Sequence, residues 1–178
     1  MSNVLSERKE IRLKGYNYSR NGVYFVTICV KDKKKLLGEI DNVVNIAIDK
    51  AVVRLSKIGQ EVQRGIEKIG EIYQGVEVEK YVVMPNHVHL LLTLHGEKFE
   101  RNNRKGKIVK VGCDSFTNKQ LATIIRSFKL ETTRIYGQQF WQRSYYDHVV
   151  RDERDYVNVW QYIEYNPQRW VVDKYYAR

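Results

Sequence analysis

The stretch Tyr81-Val82-Val83-Met84-Pro85-Asn86-His87-Val88-His89-Leu90-Leu91-Leu92-Thr93-Leu94 decides the fold. Pro85-Asn86 has turn chemistry, and the gap between the two apolar runs is too short for a crossover, so Val76–Val83 and the run after the turn form an antiparallel hairpin. Successive side chains of a strand face opposite ways, which gathers Val88, Leu90, Leu92 and Leu94 on one face and His87 and His89 on the other. His-x-His on a strand can place two nitrogen ligands on one metal ion without moving the backbone. The competing reading is a satisfied histidine at a sheet surface beside an exposed one, and the far end of the chain bears on which applies.

Upstream of the hairpin, Gly22–Val30 is β-branched and aromatic, a strand closed by the charged turn Lys31–Lys35. Apolar residues Ile48, Val52, Leu55, Ile58, Val62, Ile66 and Ile69 recur every three or four positions, which predicts one long amphipathic helix from Asn45 to about Ile69, with breaks near Gly59 and Gly65. Downstream, residues 95–116 lack a period and carry basic residues including Lys105, the pattern of a basic loop. Thr117-Asn118-Lys119-Gln120 has the form of a capping box, opening a second helix that stops at Gly137 and bears Lys119, Arg126, Lys129 and Arg134 opposite its apolar side. Phe140–Val150, which contains Arg143, reads as a fourth strand.

Strand, helix, strand, strand, helix, strand is the split βαβ order. The expected fold is therefore α+β and ferredoxin-like, an antiparallel sheet with two helices on one face and the other face free for a ligand. One more helix, over 152–166, is added at the C-terminal end. Asp155, Asn158, Tyr162 and Asn166 form its polar stripe, with Tyr156 on the apolar face and Tyr165 one residue off the stripe.

The 178 residues fit one domain, 1–178. Lys plus Arg is 31 against 21 acidic residues, a net charge of +10. That excess points to a polyanionic partner, nucleic acid before membrane. Part of it lies in residues 1–21, a basic arm that includes Arg12 and Lys14. Two cysteines far apart make neither a zinc knuckle nor a disulfide framework, and no run reaches membrane-spanning length, so a cytoplasmic protein with no membrane partner is expected.

Met84-Pro85-Asn86-His87-Val88-His89-Leu90-Leu91-Leu92, followed by Phe140-Trp141-Gln142-Arg143-Ser144-Tyr145-Tyr146-Asp147-His148 and Tyr162-Ile163-Glu164-Tyr165-Asn166-Pro167-Gln168-Arg169-Trp170, resembles the single-tyrosine HUH transposases. The subgroup it is most similar to is the REP-associated tyrosine transposases. The likeness runs from Arg12-Leu13-Lys14-Gly15-Tyr16 to Trp170, leaving out the 95–116 loop. It implies that His87 and His89 are metal ligands, that Asn166 completes the site and that Tyr162 is the nucleophile. It also implies a divalent ion, Mg or Mn, and a single-stranded DNA substrate folded into hairpins of palindromic repeats. The product would be a 5′-phosphotyrosine link and a free 3′-OH, made by a monomer or a homodimer.

The residues suit that chemistry. A phenol with a pKa of about 10 is a poor nucleophile at neutral pH and needs a nearby cation or base. An ion on two imidazoles and an amide keeps open positions for a phosphate. Arg12, Lys14, Lys105, Lys119, Arg126, Lys129 and Arg143 are the expected DNA contacts. The rival reading is a ferredoxin-like nucleic-acid binding protein without chemistry, or a domesticated transposase that only binds.

Overall fold

The computed structural model describes residues 21–41, 51–95, 100–102, 108–110 and 119–170. In chain order the elements are β1 (Gly22–Cys29), β2 (Gly38–Asp41), β3 (Val52–Leu55), α1 (Lys57–Glu67), α2 (Ile69–Ile72), β4 (Tyr73–Gln74), β5 (Val76–Met84), β6 (His87–Leu94), β7 (Glu100–Asn102), β8 (Ile108–Lys110), α3 (Lys119–Tyr136), β9 (Tyr146–Val150) and α4 (Glu153–Glu164). The main sheet has four strands in the order β5-β6-β1-β9, every neighbour antiparallel, which is the ferredoxin-like arrangement. The Pro85-Asn86 turn joins β5 to β6 as the hairpin predicted, with Met84 opposite His87.

Side-chain alternation divides the sheet into two faces with different partners. On the first, Tyr24, Val26 and Ile28 of β1 and Val88, Leu90, Leu92 and Leu94 of β6 pack with Val62 and Ile66 of α1 and with Leu121, Ile124, Ile125 and Phe128 of α3. Each such aliphatic side chain, fully buried, stabilises the fold by about 1.5–3 kcal/mol, so this face is the main core. Gly137, with φ +86°, ends α3 in the left-handed conformation that stops a helix.

The second face was expected to be free, and here the structure corrects the sequence. α4 lies over it, packing Val159 and Ile163 on Phe25 and Leu91, with Tyr156, Trp160 and Tyr162 around them. An ion pair ties the helix to one edge strand, Lys80 Nζ of β5 to Glu164 at 2.5 Å, and a hydrogen bond ties it to the other, between His148 Nε2 of β9 and Asp155 at 2.8 Å. Lys80 also sits 4.3 Å from the centre of the Trp160 ring. A helix with an apolar stripe must bury it, and α4 does so on the Phe25 and Leu91 side chains of the histidine face.

Three boundaries differ from those expected. The single helix from Asn45 is instead β3 followed by α1, with residues 42–50 outside the described residues. Val52 and Val53 pair with β2, and the helix begins only where the Ser56 hydroxyl accepts from Gly59 N at 3.0 Å. The 95–116 segment is not wholly a loop, because β7 pairs with both β4 and β8. The fourth strand is shorter than Phe140–Val150, since Trp141 only bridges Val30 and regular pairing starts at Tyr146.

Among the described glycines, Gly59 has the tightest surroundings. A Cβ there would run into the carbonyl of Leu37, whose oxygen already accepts from Ser56 N at 2.9 Å. Gly59→Ala is therefore expected to lower stability by about 1–3 kcal/mol, the usual cost of overpacking. A urea midpoint equal to that of the parent chain would show that the α1 entry yields without strain.

Candidate active site

His87 and His89 are fully buried on the α4 face of β6. Each ring is held through Nδ1. Asn86 Nδ2 donates to the Lys33 carbonyl at 3.2 Å, which turns its Oδ1 toward His87 Nδ1, 2.8 Å away. Thr27, the cross-strand partner of His89, brings its hydroxyl to 2.8 Å from His89 Nδ1. The two Nε2 atoms then meet at 3.0 Å.

That distance has two physical readings. His87 Nδ1–H donates to Asn86 Oδ1, so in the neutral ring His87 Nε2 carries a lone pair. If Thr27 donates to His89, the proton on His89 Nε2 bridges the rings. If Thr27 accepts instead, two lone pairs face each other at 3.0 Å and need a cation between them. Two nitrogens at 2.0–2.1 Å from one ion and about 90° apart lie about 3 Å from each other, so the donor pair fits a divalent metal. Among the described residues no three His, Cys, Asp or Glu side chains gather. An ion at this point would draw its remaining ligands from groups other than His, Cys, Asp and Glu, such as amide or substrate oxygens.

Tyr162 is half-buried on α4. Its ring stands 5.1 Å from the His89 ring and 5.7 Å from Phe25, edge-on to the latter. The docking of α4 thus brings together His87, His89 and Tyr162 from one chain. Asn166 is also buried, but α4 ends at Glu164, so it lies in the turn beyond the helix rather than one helical turn after Tyr162. The competing tyrosines lie elsewhere: Tyr156 stacks on Trp160, and Tyr165 is exposed. The buried Trp170 ring lies 5.9 Å from the His87 ring.

Sequence reasoning assigned no role to Thr27, and none to Asn86 beyond the turn. Thr27 is the one threonine among the apolar and aromatic residues of β1, two positions on from Phe25, and its register against His89 becomes known only once β1 and β6 pair.

The expected DNA contacts fall into two groups. Arg12, Lys14 and Lys105 lie outside the described residues, as does the side chain of Lys119, the first residue of α3. Arg126, Lys129 and Arg143 line one cavity, between α3 and the segment that leads into β9. The Lys129 amine donates to the carbonyls of Gln142 at 2.9 Å and Ser144 at 2.8 Å. Burial pulls its pKa down to about 8, with the nearby Cys29 acting in the opposite direction. Gln142 N donates to the Cys29 carbonyl, and Cys29 pairs with His87 across the sheet. The cavity and the histidine pair therefore sit at the same end of β1.

No protein-family model matches the chain. An uncharacterized protein of Haemophilus influenzae is 33% identical over 183 aligned residues, spanning 97% of this chain and 95% of that protein. A second protein of the same organism, named "Putative REP-associated tyrosine transposase", is 25% identical over 151 residues, 85% of this chain and 73% of that one. A solved REP-associated tyrosine transposase bound to a REP hairpin superposes with a TM-score of 0.56 over 89% of this chain and 73% of that one, at 21% identity, and shares its fold. The chain is thus similar in sequence to a protein named as a REP-associated tyrosine transposase and shares the fold of a solved one. Among the described residues, no helix is long and apolar enough to cross a membrane.

Proposed function

We propose that the chain is a metal-dependent endonuclease and strand transferase for single-stranded DNA, acting on hairpins of palindromic repeats through a 5′-phosphotyrosine intermediate. The observation that carries this reading is the meeting of the His87 and His89 Nε2 atoms at 3.0 Å beside the Tyr162 ring. His87, His89 and Asn166 would hold the ion, Mg or Mn. When bound, that ion supplies Lewis-acid polarisation of the scissile phosphate and compensates the charge that develops on it.

The chain's own residues do the rest. Thr27 and Asn86 fix the ring orientations, so both Nε2 lone pairs point to one place. The Tyr162 oxygen attacks phosphorus, its proton passing to solvent; the bond from phosphorus to the 3′-oxygen breaks, and that oxygen leaves as a hydroxyl after taking up a proton. The phosphodiester energy is kept in the tyrosine ester, so a later attack by a 3′-OH can rejoin strands. Phe25 and Trp170 border the rings with apolar surface and hold water away, which strengthens every charge interaction inside.

The test uses DNA hairpins with single-stranded flanks, incubated with the full chain and Mn. A protein–DNA adduct that survives denaturing electrophoresis, and is lost with chelator, is the expected result. A second reading, a chain that holds DNA without cutting it, draws on the complete burial of both imidazoles beneath α4. Hairpin binding unchanged by chelator, with no adduct for any hairpin, would favour it.

The Lys80–Glu164 ion pair at the edge of α4 has a consequence for rate. Lys80→Ala removes the charge that holds both Glu164 and the Trp160 face, and should slow adduct formation roughly 10- to 100-fold through misplacement of Tyr162. Lys80→Arg should recover most of it. Equal adduct rates in Lys80→Ala and the parent would mean that apolar packing alone positions the helix.

A further inference from the structure

The cavity between α3 and the Gln139–Tyr145 segment, about 640 Å³, falls within the range of about 300–1,000 Å³ typical of small-ligand sites. Its lining is unusual in charge. Lys31, Arg126, Lys129 and Arg143 contribute four cations, and no acidic residue is among the described residues that line it. Between these cations the surface is apolar: Ile125 and Trp141 are buried as a floor, whereas Leu130 is 59% exposed at the rim, an uncommon place for a leucine on a basic helix. Lys129 uses two of its three N–H donors on Gln142 and Ser144, which fixes the amine at the wall with one donor left. A ligand that satisfies all of this has a flat apolar body and an anionic end.

We propose that this cavity is a subsite for one unpaired nucleotide, its base lying on Leu130 and Tyr145 and its phosphate held by Arg126 and Arg143. The proposal rests on the reading above only for the kind of polymer that supplies the nucleotide. Because Cys29 joins the cavity wall to the strand position opposite His87, a single strand leaving the histidine pair could round the end of β1 and enter it. Stacking on an exposed side chain tolerates any base, and the side chains of Gln139 and Gln142 at the wall offer donors and acceptors that would discriminate among them.

The probes are the four deoxynucleoside 5′-monophosphates, with deoxyribose 5-phosphate and inorganic phosphate as base-free controls, titrated in the presence of chelator so that strand cleavage plays no part. Nuclear magnetic resonance would follow the Leu130 methyls and the Trp141 indole N–H, which donates to Thr132 at 2.8 Å and reports the floor. At least one mononucleotide should move both signals and saturate, with the base-free phosphates roughly tenfold weaker or more. Leu130→Asp and Arg143→Ala alter exposed side chains, should leave the rest of the spectrum in place, and should each weaken the nucleotide roughly tenfold. Equal binding of nucleotide and deoxyribose 5-phosphate overturns the proposal in favour of a plain anion site. Shifts centred elsewhere, or no shift at millimolar nucleotide, also overturn it. A failed adduct assay with an intact nucleotide site would count against the nicking reading alone.

Discussion

Tyr162→Phe should reduce covalent adduct formation by at least about 10³-fold, because the variant lacks the oxygen that would form the ester to phosphorus. Hairpin binding should stay within a factor of about two, since the ring that packs on Phe25 and His89 is retained. The assay is the denaturing gel for the adduct beside anisotropy for binding. The split between the two readouts carries the meaning. An adduct that persists in Tyr162→Phe would move the nucleophile elsewhere, and Tyr165 is the next to test, being exposed and close in sequence.

His87→Ala combined with His89→Ala should be nearly as severe, about 10²–10³-fold in adduct rate, the magnitude associated with losing the groups that stabilise charge in the transition state. Raising Mn should not restore it. Asn86→Ala should behave differently. It leaves both imidazoles but frees the His87 ring from the bond that orients it, so apparent Mn affinity should fall roughly 10- to 100-fold, with activity recovered at high Mn. Circular dichroism and the thermal midpoint separate either effect from unfolding. A double variant that keeps parental adduct rates would mean the histidines are structural.

The face pattern of β6 was legible in the sequence because period-two alternation is a local property: Val88, Leu90, Leu92 and Leu94 pack in the main core, and His87 and His89 point away from it. The ferredoxin-like order followed from counting elements. The start of α1 was not legible, because Ile48, Val52 and Leu55 continue the rhythm of the helix that follows. Only pairing with β2, a strand of four residues, makes Val52 and Val53 a strand. Strands β7 and β8 were missed for the same reason, being short and defined by each other and by β4.

The site divides along the same line. The two histidines and Tyr162 were visible as residue types at suggestive spacing, and a helical stripe singled out Tyr162 over Tyr156. Where α4 would lie was not visible. Its position depends on Lys80–Glu164 and His148–Asp155, each joining α4 to a residue on a different strand. Thr27 shows the same limit, since a hydroxyl in a strand becomes a histidine partner only through register.

The placement of β1 between β6 and β9 has a consequence for the order in which the protein is made. β1 leaves the ribosome well before β9, so Val23 waits for Val150 as its partner on one side, and the helix that carries Tyr162 follows later still. Pairing across such a span is slow, and a nascent chain holds the histidine hairpin long before it holds the phenol. A prematurely terminated product would keep the two imidazoles without the group that stands beside them. The complete constellation exists only once translation has passed α4.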